Sequence, residues 1–404
     1  MRSGRVVITG VGAVTPLGVG ARTLFERWAA GESGIEDGAG RCSDYNPTEH
    51  LSRKEARRAD RFTQLAMVAC DEAMGQAGWL EGDELPYDPG RIGCVIGTGI
   101  GGIETLEGAH DVLRDQGAAR VSPLAIPLMM SNAAPAALAM RRGLQGECFG
   151  TVSACAAGAH AIGIAARMVA TGDADAVICG GSEASLTPLA YAAFGAMDAL
   201  SDSGISRPFD ARRDGFVMAE GAGVLVLESP ERAEARGATV IGELMGYGST
   251  ADAHHLTAPE PRGVGAARAI SIALTDAGID ATQVGYVNAH GSSTPLNDRA
   301  ETVAIKAALG ERAGDVPVSS TKSAIGHTLG AAGAVEAVAT LIALNDGVAP
   351  PTLGYEEPDE GLDLDYVTDG AKPLHRNGHP PIAISNSFGF GGHNVVLCIG
   401  GSPA

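Results

Sequence analysis

The chain reads as an α/β protein with sheets covered by helices, and three observations predict this class. Short apolar, β-branched runs alternate with alanine-rich segments of helical periodicity. Most of the short runs are apolar at every position, as in strands buried on both faces. The order strand, small-residue turn, helix also recurs, at 148–183 and again at 284–309 and 316–345. That recurrence predicts an internal duplication, with turns from both halves meeting at a centre.

Taken in order, residues 6–8 (Val-Val-Ile) predict the first strand, and 22–30 and 61–77 predict helices. Residues 92–96 and 148–152 predict strands, the second followed by a sharp turn and an alanine-rich helix over 156–171. Strands follow at 176–178 and 223–227. The segment between them, 187–214, has little strand signal and predicts a long connection or cap. The second half continues with helix 264–277, strand 284–287, helix 298–309, strand 316–318 and helix 332–345. Strands 382–384 and 394–397 flank a glycine-rich turn. No Pro- or Ser-rich linker divides the chain, so two intimately packed halves are expected, 1–245 and 246–404.

Composition narrows the function. Of 404 residues, 45% are hydrophobic and 19% charged, which excludes a disordered chain. Aromatics are only 4% and glycines number 57, so the core is built of small side chains with closely approaching backbones. A net charge of −19 argues against nucleic acid and anionic membranes as partners, and an acidic partner would need a local basic patch. The seven cysteines are odd in number and contain no C-x-x-C pair, which argues against a disulfide framework or a zinc site and fits a reducing cytoplasm. No signal-peptide pattern opens the chain. No apolar run reaches the ~18 residues of a membrane span; 331–344 is too short.

Three residues at strand-to-turn positions stand out. Cys155 lies in Thr151-Val-Ser-Ala-Cys-Ala-Ala-Gly-Ala-His160. A helix beginning at the cysteine would lower the thiol below its ordinary pKa of ~8.5 and supply a thiolate nucleophile. The other six cysteines read as small buried hydrophobes. His290 lies in Tyr286-Val-Asn-Ala-His-Gly-Ser-Ser-Thr-Pro295, with the Ser292 and Thr294 hydroxyls on the same turn. His327 lies in Ser319-Ser-Thr-Lys-Ser-Ala-Ile-Gly-His-Thr-Leu-Gly330, where Lys322 needs a partner and Glu336 is a candidate. Asn386-Ser-Phe-Gly-Phe-Gly-Gly-His-Asn394 predicts a backbone that approaches a ligand and can move. No phosphate-loop motif, G-x-x-x-x-G-K-[ST], is present. One Cys and two His fit either a cysteine hydrolase or an acyl transferase, and the second His and the glycine loop suit acyl transfer better.

Four motifs resemble the elongating, decarboxylating β-ketoacyl-acyl-carrier-protein synthases of the synthase II type: Val152-Ser-Ala-Cys155, Asn288-Ala-His-Gly291, Ser320-Thr-Lys-Ser-Ala-Ile-Gly-His327 and Asn386-Ser-Phe-Gly-Phe-Gly-Gly392. Arg207-Pro-Phe-Asp210 and Arg213-Asp-Gly-Phe216 add to the resemblance, which runs from about Val6 to Ile399. It implies the thiolase fold, two βαβαβαββ halves forming a five-layered αβαβα core. It also implies decarboxylative Claisen condensation of an acyl group on Cys155 with malonyl-carrier protein, in fatty-acid or polyketide elongation.

By position, the resemblance makes Cys155 the acyl acceptor and gives His290 and His327 the decarboxylation. Lys322 and Glu336 would be their support, and the backbone N–H groups of Cys155 and Phe390 the oxyanion donors. Phe390 would also be the gate. Ser292 and Thr294 would bind the phosphopantetheine arm, and Ile100 and Phe194 would line the acyl channel. No bound cofactor and no metal are implied; substrates ride on the phosphopantetheine arm of acyl carrier protein. Lys54, Arg57, Arg58 and Arg120 would dock that partner. The assembly would be a homodimer, or a heterodimer with a ketosynthase-like chain as in a type II polyketide ketosynthase subunit. A non-condensing decarboxylase and a thioester hydrolase are the remaining readings. The segment 34–52 is shorter than usual for the type, Asp198 stands where a basic residue is usual, and Ser292 replaces a more usual Thr.

Overall fold

A computed structural model describes residues 5–82, 84–375 and 381–402. Among these, ten strands build the core. The first half contributes β1 (Val7–Thr15), β2 (Ile92–Gly97), β3 (Cys148–Thr151), β4 (Ala176–Glu183) and β5 (Gly221–Glu228). The second contributes β6 (Gly242–Ala251), β7 (Val284–Asn288), β8 (Pro317–Ser319), β9 (Ile382–Gly389) and β10 (His393–Gly401).

The lateral order is β8-β7-β9-β10-β6-β1-β5-β4-β2-β3. Read outward-in from either end, each half places its own strands in the order third, second, fourth, fifth, first. Pairing senses repeat as well. In each half the second strand pairs in parallel with the third and the fourth, and the fifth is antiparallel to the fourth and the first. The expected duplication is therefore written in the topology.

β1 and β6 join the halves over only two residue pairs, Val7 with Glu243 and Ile8 with Gly242. Beyond them, Val11 N–H donates to Gln76 Oε1 at 2.8 Å and Ala13 N–H to Glu72 Oε2 at 2.9 Å. Side chains of a helix thus finish the β1 edge, and the strands part into two five-stranded sheets.

Helices supply the other three layers. α1 (Arg61–Gln76) and α2 (Ala133–Arg142) cover the first sheet, while α5 (Val264–Ala277) and α6 (Pro295–Leu309) cover the second. Between the sheets lie α3 (Ala157–Thr171) and α7 (Ala332–Asp346), the latter buried from Ala332 through Leu344. The result is the αβαβα layering of the thiolase fold. Close approach of sheet and helix explains the glycine content. A Cβ on Gly10 or Gly12 would stand 2.0 Å from the carbonyl oxygens of Ala73 and Ala69. Gly246 and Gly248 meet Ala273 and Ala269 in the same way, at 2.2 and 2.0 Å.

Several expectations need correction. β6 carries little β-branched signal, because Gly242, Gly246 and Gly248 occupy its helix-facing positions, and it was not expected. It begins at Gly242, so a division at 245 cuts through it. The connection 187–214 contains a helix, α4 (Pro188–Gly195), and further helices form at Ile103–Gln116 and Ala133–Arg142. α6 starts at Pro295, three residues before the expected 298, with Thr294 as its N-cap residue. Two helical stretches, 154–171 and 329–346, are long and apolar enough to cross a membrane, contrary to the reading by apolar runs; both are largely buried in the core.

Candidate active site

Cys155 follows β3, His290 follows β7, and His327 follows β8 after the short helix Lys322–Ile325. The glycine-rich turn joins β9 to β10. These are strand ends of the two halves, and the duplication brings them to one cavity of about 380 Å³. Cys155, His290, His327 and Phe390 line it, together with Ser292, Thr294, Ile100 and Phe194.

Cys155 does not open the helix. α3 begins at Ala157, and Cys155 sits on the turn before it, where Ala154 adopts a left-handed φ of 51°. The expected low pKa is overturned too. Burial pushes the Cys155 thiol up to about 11, against the Lys322 charge and the Phe390 N–H, which favour the thiolate. Backbone N–H groups of Phe390 and of Cys155 itself face the sulfur. Gly389 permits this closeness: a Cβ there would lie 3.1 Å from Cys155 N and from Ser153 O.

His290 is held by its backbone and its ring. Its N–H donates to Glu301 Oε1 and that of Gly291 to Glu301 Oε2, both at 2.8 Å. Asn386 Nδ2 donates to the same carboxyl at 3.0 Å, and burial raises Glu301 to about 7. Lys322 Nζ donates to the His290 carbonyl at 2.6 Å, lies 3.3 Å from its Nδ1, and is hydrogen-bonded to Glu336 Oε1. Both members of that pair are buried, and burial raises the Glu336 carboxyl to about 7 although Lys322 pulls it down. With Lys322 donating at Nδ1, the ring proton of neutral His290 belongs on Nε2.

His327 reaches the same tautomer by another route. Leu329 N–H donates to its Nδ1 at 3.2 Å, leaving the proton on Nε2. The two rings lie 5.4 Å apart and nearly perpendicular, at 83°. Burial, then the Lys322 charge, holds both imidazoles well below their ordinary pKa, so both are neutral at pH 7. The cavity therefore combines a thiol, two backbone N–H groups at its sulfur, and two neutral imidazole N–H donors. That set can accept an acyl group and stabilise charge on carbonyl oxygens.

The remaining expected residues divide. Ser292 Oγ and Thr294 Oγ1 lie 2.9 Å apart on the cavity wall. Phe194 packs on Phe390 at 6.5 Å and on Phe216 at 5.4 Å. Asp198 lies on the wall, with a φ of 50°. Lys54, Arg57, Arg58 and Arg120 are exposed, lie away from the cavity lining, and form no ion pair among the described residues. Arg61, the end of the same basic segment, is instead engaged with Glu220 at 2.6 Å.

Sequence reasoning missed three carboxylates. Glu301 supports His290 from a helix. Asp252 follows the unexpected β6 and accepts from Asn394 Nδ2 at 2.6 Å. Glu183 ends β4 in Gly-Gly-Ser-Glu, and the strand-end rule that singled out His290 would have found it.

Comparison with known proteins follows the same lines. The β-ketoacyl synthase N-terminal domain family matches residues 45–233, and its C-terminal domain family matches 241–356. The chain is 48% identical over 410 residues to a 3-oxoacyl-[acyl-carrier-protein] synthase 2 of Synechocystis sp., covering 97% of each. A solved type II PKS ketosynthase, in complex with its acyl-carrier protein and bound to the hexaketide, superposes with a TM-score of 0.87 at 33% identity, over 99% of this chain and 100% of that one. The ishigamide ketosynthase/chain length factor gives 0.88 at 31% identity, over 99% of each.

Proposed function

The chain belongs to the β-ketoacyl synthase family, and from that premise we propose how its residues carry out 3-oxoacyl-acyl-carrier-protein synthesis. The enzyme condenses an acyl thioester with malonyl-carrier protein, releasing carbon dioxide and a chain two carbons longer. The observation that carries the residue assignment is the convergence of the Cys155 thiol and two neutral imidazole N–H donors on one cavity.

In loading, the Cys155 sulfur attacks the carbonyl carbon of an acyl-carrier thioester. Its proton goes to the departing carrier thiolate, and a new acyl–sulfur bond replaces the old one. In condensation, the bond to the malonyl carboxylate breaks and its electrons form an enolate. The Nε2–H groups of His290 and His327 donate to that enolate oxygen. The carbanion attacks the Cys155 thioester, the tetrahedral oxyanion rests on the N–H groups of Cys155 and Phe390, and the sulfur leaves as thiolate and takes a proton from solvent water. Lys322, held by Glu336, keeps His290 in its tautomer. The side chain of Phe390, packed on Phe194, gates the acyl channel beside Ile100. No resident cofactor or metal is needed; the phosphopantetheine arm of the carrier reaches the thiol past Ser292 and Thr294. Seven free cysteines go with a cytoplasmic location.

A second chain completes the assembly. β3 is an edge strand, and Leu106, Leu113, Leu124, Ile126, Met130, Met140 and Val152 expose apolar surface on the segments around it. Its occupant is an identical copy, or a ketosynthase-like partner if the enzyme serves a polyketide pathway. Asp198 at the cavity wall favours a dedicated carrier and is the observation behind that second reading.

Intact-mass spectrometry tests the assignment with malonyl- and acyl-carrier proteins. Wild type forms an acyl adduct and a two-carbon-longer product; Cys155→Ala forms neither, with its thermal midpoint kept. An adduct persisting in Cys155→Ala, or free acid as the product, overturns it.

A further inference from the structure

Glu183 is fully buried at the end of β4, yet the steps above leave it without a role. It forms no ion pair among the described residues; five donors surround it instead. Oε2 accepts the N–H of Gly99 at 2.6 Å and of Gly330 at 3.1 Å. Oε1 accepts from Ser185 Oγ at 3.0 Å, Thr98 Oγ1 at 3.1 Å and the N–H of Ile100 at 3.4 Å. Burial raises its pKa, and these donors oppose the rise.

The donors come from two parts of the site. Gly99 and Ile100 belong to the cavity wall on the acyl side. Gly330 follows Leu329, whose N–H donates to His327 Nδ1 and whose left-handed φ of 46°, rare for a leucine, turns the chain into Gly330. The two backbones touch with no side chain between them. A Cβ on Gly330 would stand 2.0 Å from Gly99 N and 2.4 Å from Thr98 C. A single oxygen of Glu183 receives both N–H groups across this contact. Withdrawing that oxygen, or exchanging it for an amide NH2, leaves the Gly330 N–H without its acceptor and frees the preceding turn to relax, and with it the hydrogen bond that fixes the His327 ring.

We propose that Glu183 is a positioning residue that ties the acyl-channel wall to the His327 turn and thereby sets the orientation and tautomer with which His327 meets the malonyl group. The proposal rests on the role given to His327 under the proposed function. Glu183→Gln turns one acceptor into a donor against donors, and Glu183→Asp keeps the charge but draws it back from Gly330. Carbon dioxide release from malonyl-carrier protein is expected to fall by about 10- to 100-fold in both, with Cys155 loading reduced by about threefold at most. In ¹⁵N-histidine spectra, His327 Nδ1 is unprotonated in wild type and is expected to show mixed tautomers in the variants.

Loading and release falling together with an unchanged His327 signal would mean a merely structural carboxylate and overturn the proposal, as would two variants indistinguishable from wild type. If Glu183→Gln fails to fold, Glu183→Asp carries the same comparison. A wild type that neither loads nor releases carbon dioxide defeats the proposed function instead, and the tautomer signal still decides on Glu183.

Discussion

Cys155 shows how burial competes with local charge. A turn beside a helix start, a nearby ammonium and a backbone N–H all favour the thiolate, yet removal from water outweighs them and holds the thiol to about 11. The thiolate fraction below that value grows about tenfold per pH unit. Alkylation of Cys155 by iodoacetamide is therefore expected to climb from about pH 7 to about pH 10 without a plateau. A plateau beginning near neutrality would show a preformed thiolate. The histidines act in the other direction: neutral and fixed as Nε2–H donors, they suit an enolate oxygen better than a proton-abstracting role. His290→Ala and His327→Ala are each expected to lower carbon dioxide release by ~10²–10³, the usual effect of losing one such donor, while acyl loading falls far less. Separate loading and release assays check this. Equal losses in both would assign a histidine as the base for the thiol.

At the scale of elements, the glycine-rich turn between β9 and β10 works by proximity to the nucleophile turn. Gly389 faces Cys155 N, Ser153 O and Ala156 N at 3.1–3.2 Å from where a Cβ would be, tight but short of an outright clash. Gly389→Ala is expected to move the loop outward by a fraction of an ångström and to draw the Phe390 N–H from the sulfur. The expected outcome is about tenfold slower acyl loading with a thermal midpoint near wild type, measured by rapid-quench mass spectrometry and calorimetry. Unchanged loading would show that the added methyl is accommodated without moving the Phe390 N–H. β6 illustrates the cost of such proximity for sequence reading. Its glycines let α5 approach, and the same glycines erase the strand signal.

For the whole molecule, charge decides how the carrier is met. The chain carries −19, so an acidic carrier protein is repelled at a distance and must be held by a local positive surface. We propose Lys54, Arg57 and Arg58 as that surface, on the capped helix Arg53–Ala56 and the turn after it, exposed and unpaired with carboxylates among the described residues. Reversing Arg57 and Arg58 to Glu is expected to raise KM for carrier-bound substrate by about tenfold or more, with little change for a small acyl-pantetheine mimic. The penalty should shrink at high salt, where the Debye length falls below ~10 Å. An unaltered KM would place docking elsewhere. The exposed apolar surface flanking β3 is the complementary feature, an edge with room for a second chain.

Strand-turn positions of Cys155, His290 and His327, the Lys322–Glu336 pair and the glycine loop were all legible in the sequence. Each is a local signal, a polar or small residue breaking an apolar run, and such breaks survive without knowledge of packing. The duplication was legible for the same reason, since both halves repeat the order of elements. Only the tertiary structure brought the breaks to one cavity, because strands far apart in the chain become neighbours through the mirrored sheet order. It alone decided the protonation states as well: the thiol rises and the imidazoles fall with burial, and burial belongs to the assembled layers. The role proposed for Glu183 lay beyond local reading because backbone N–H groups of separate turns come within its reach only in the fold, and the contact of Glu301 with the N–H groups of His290 and Gly291 forms only when its helix packs back on that turn.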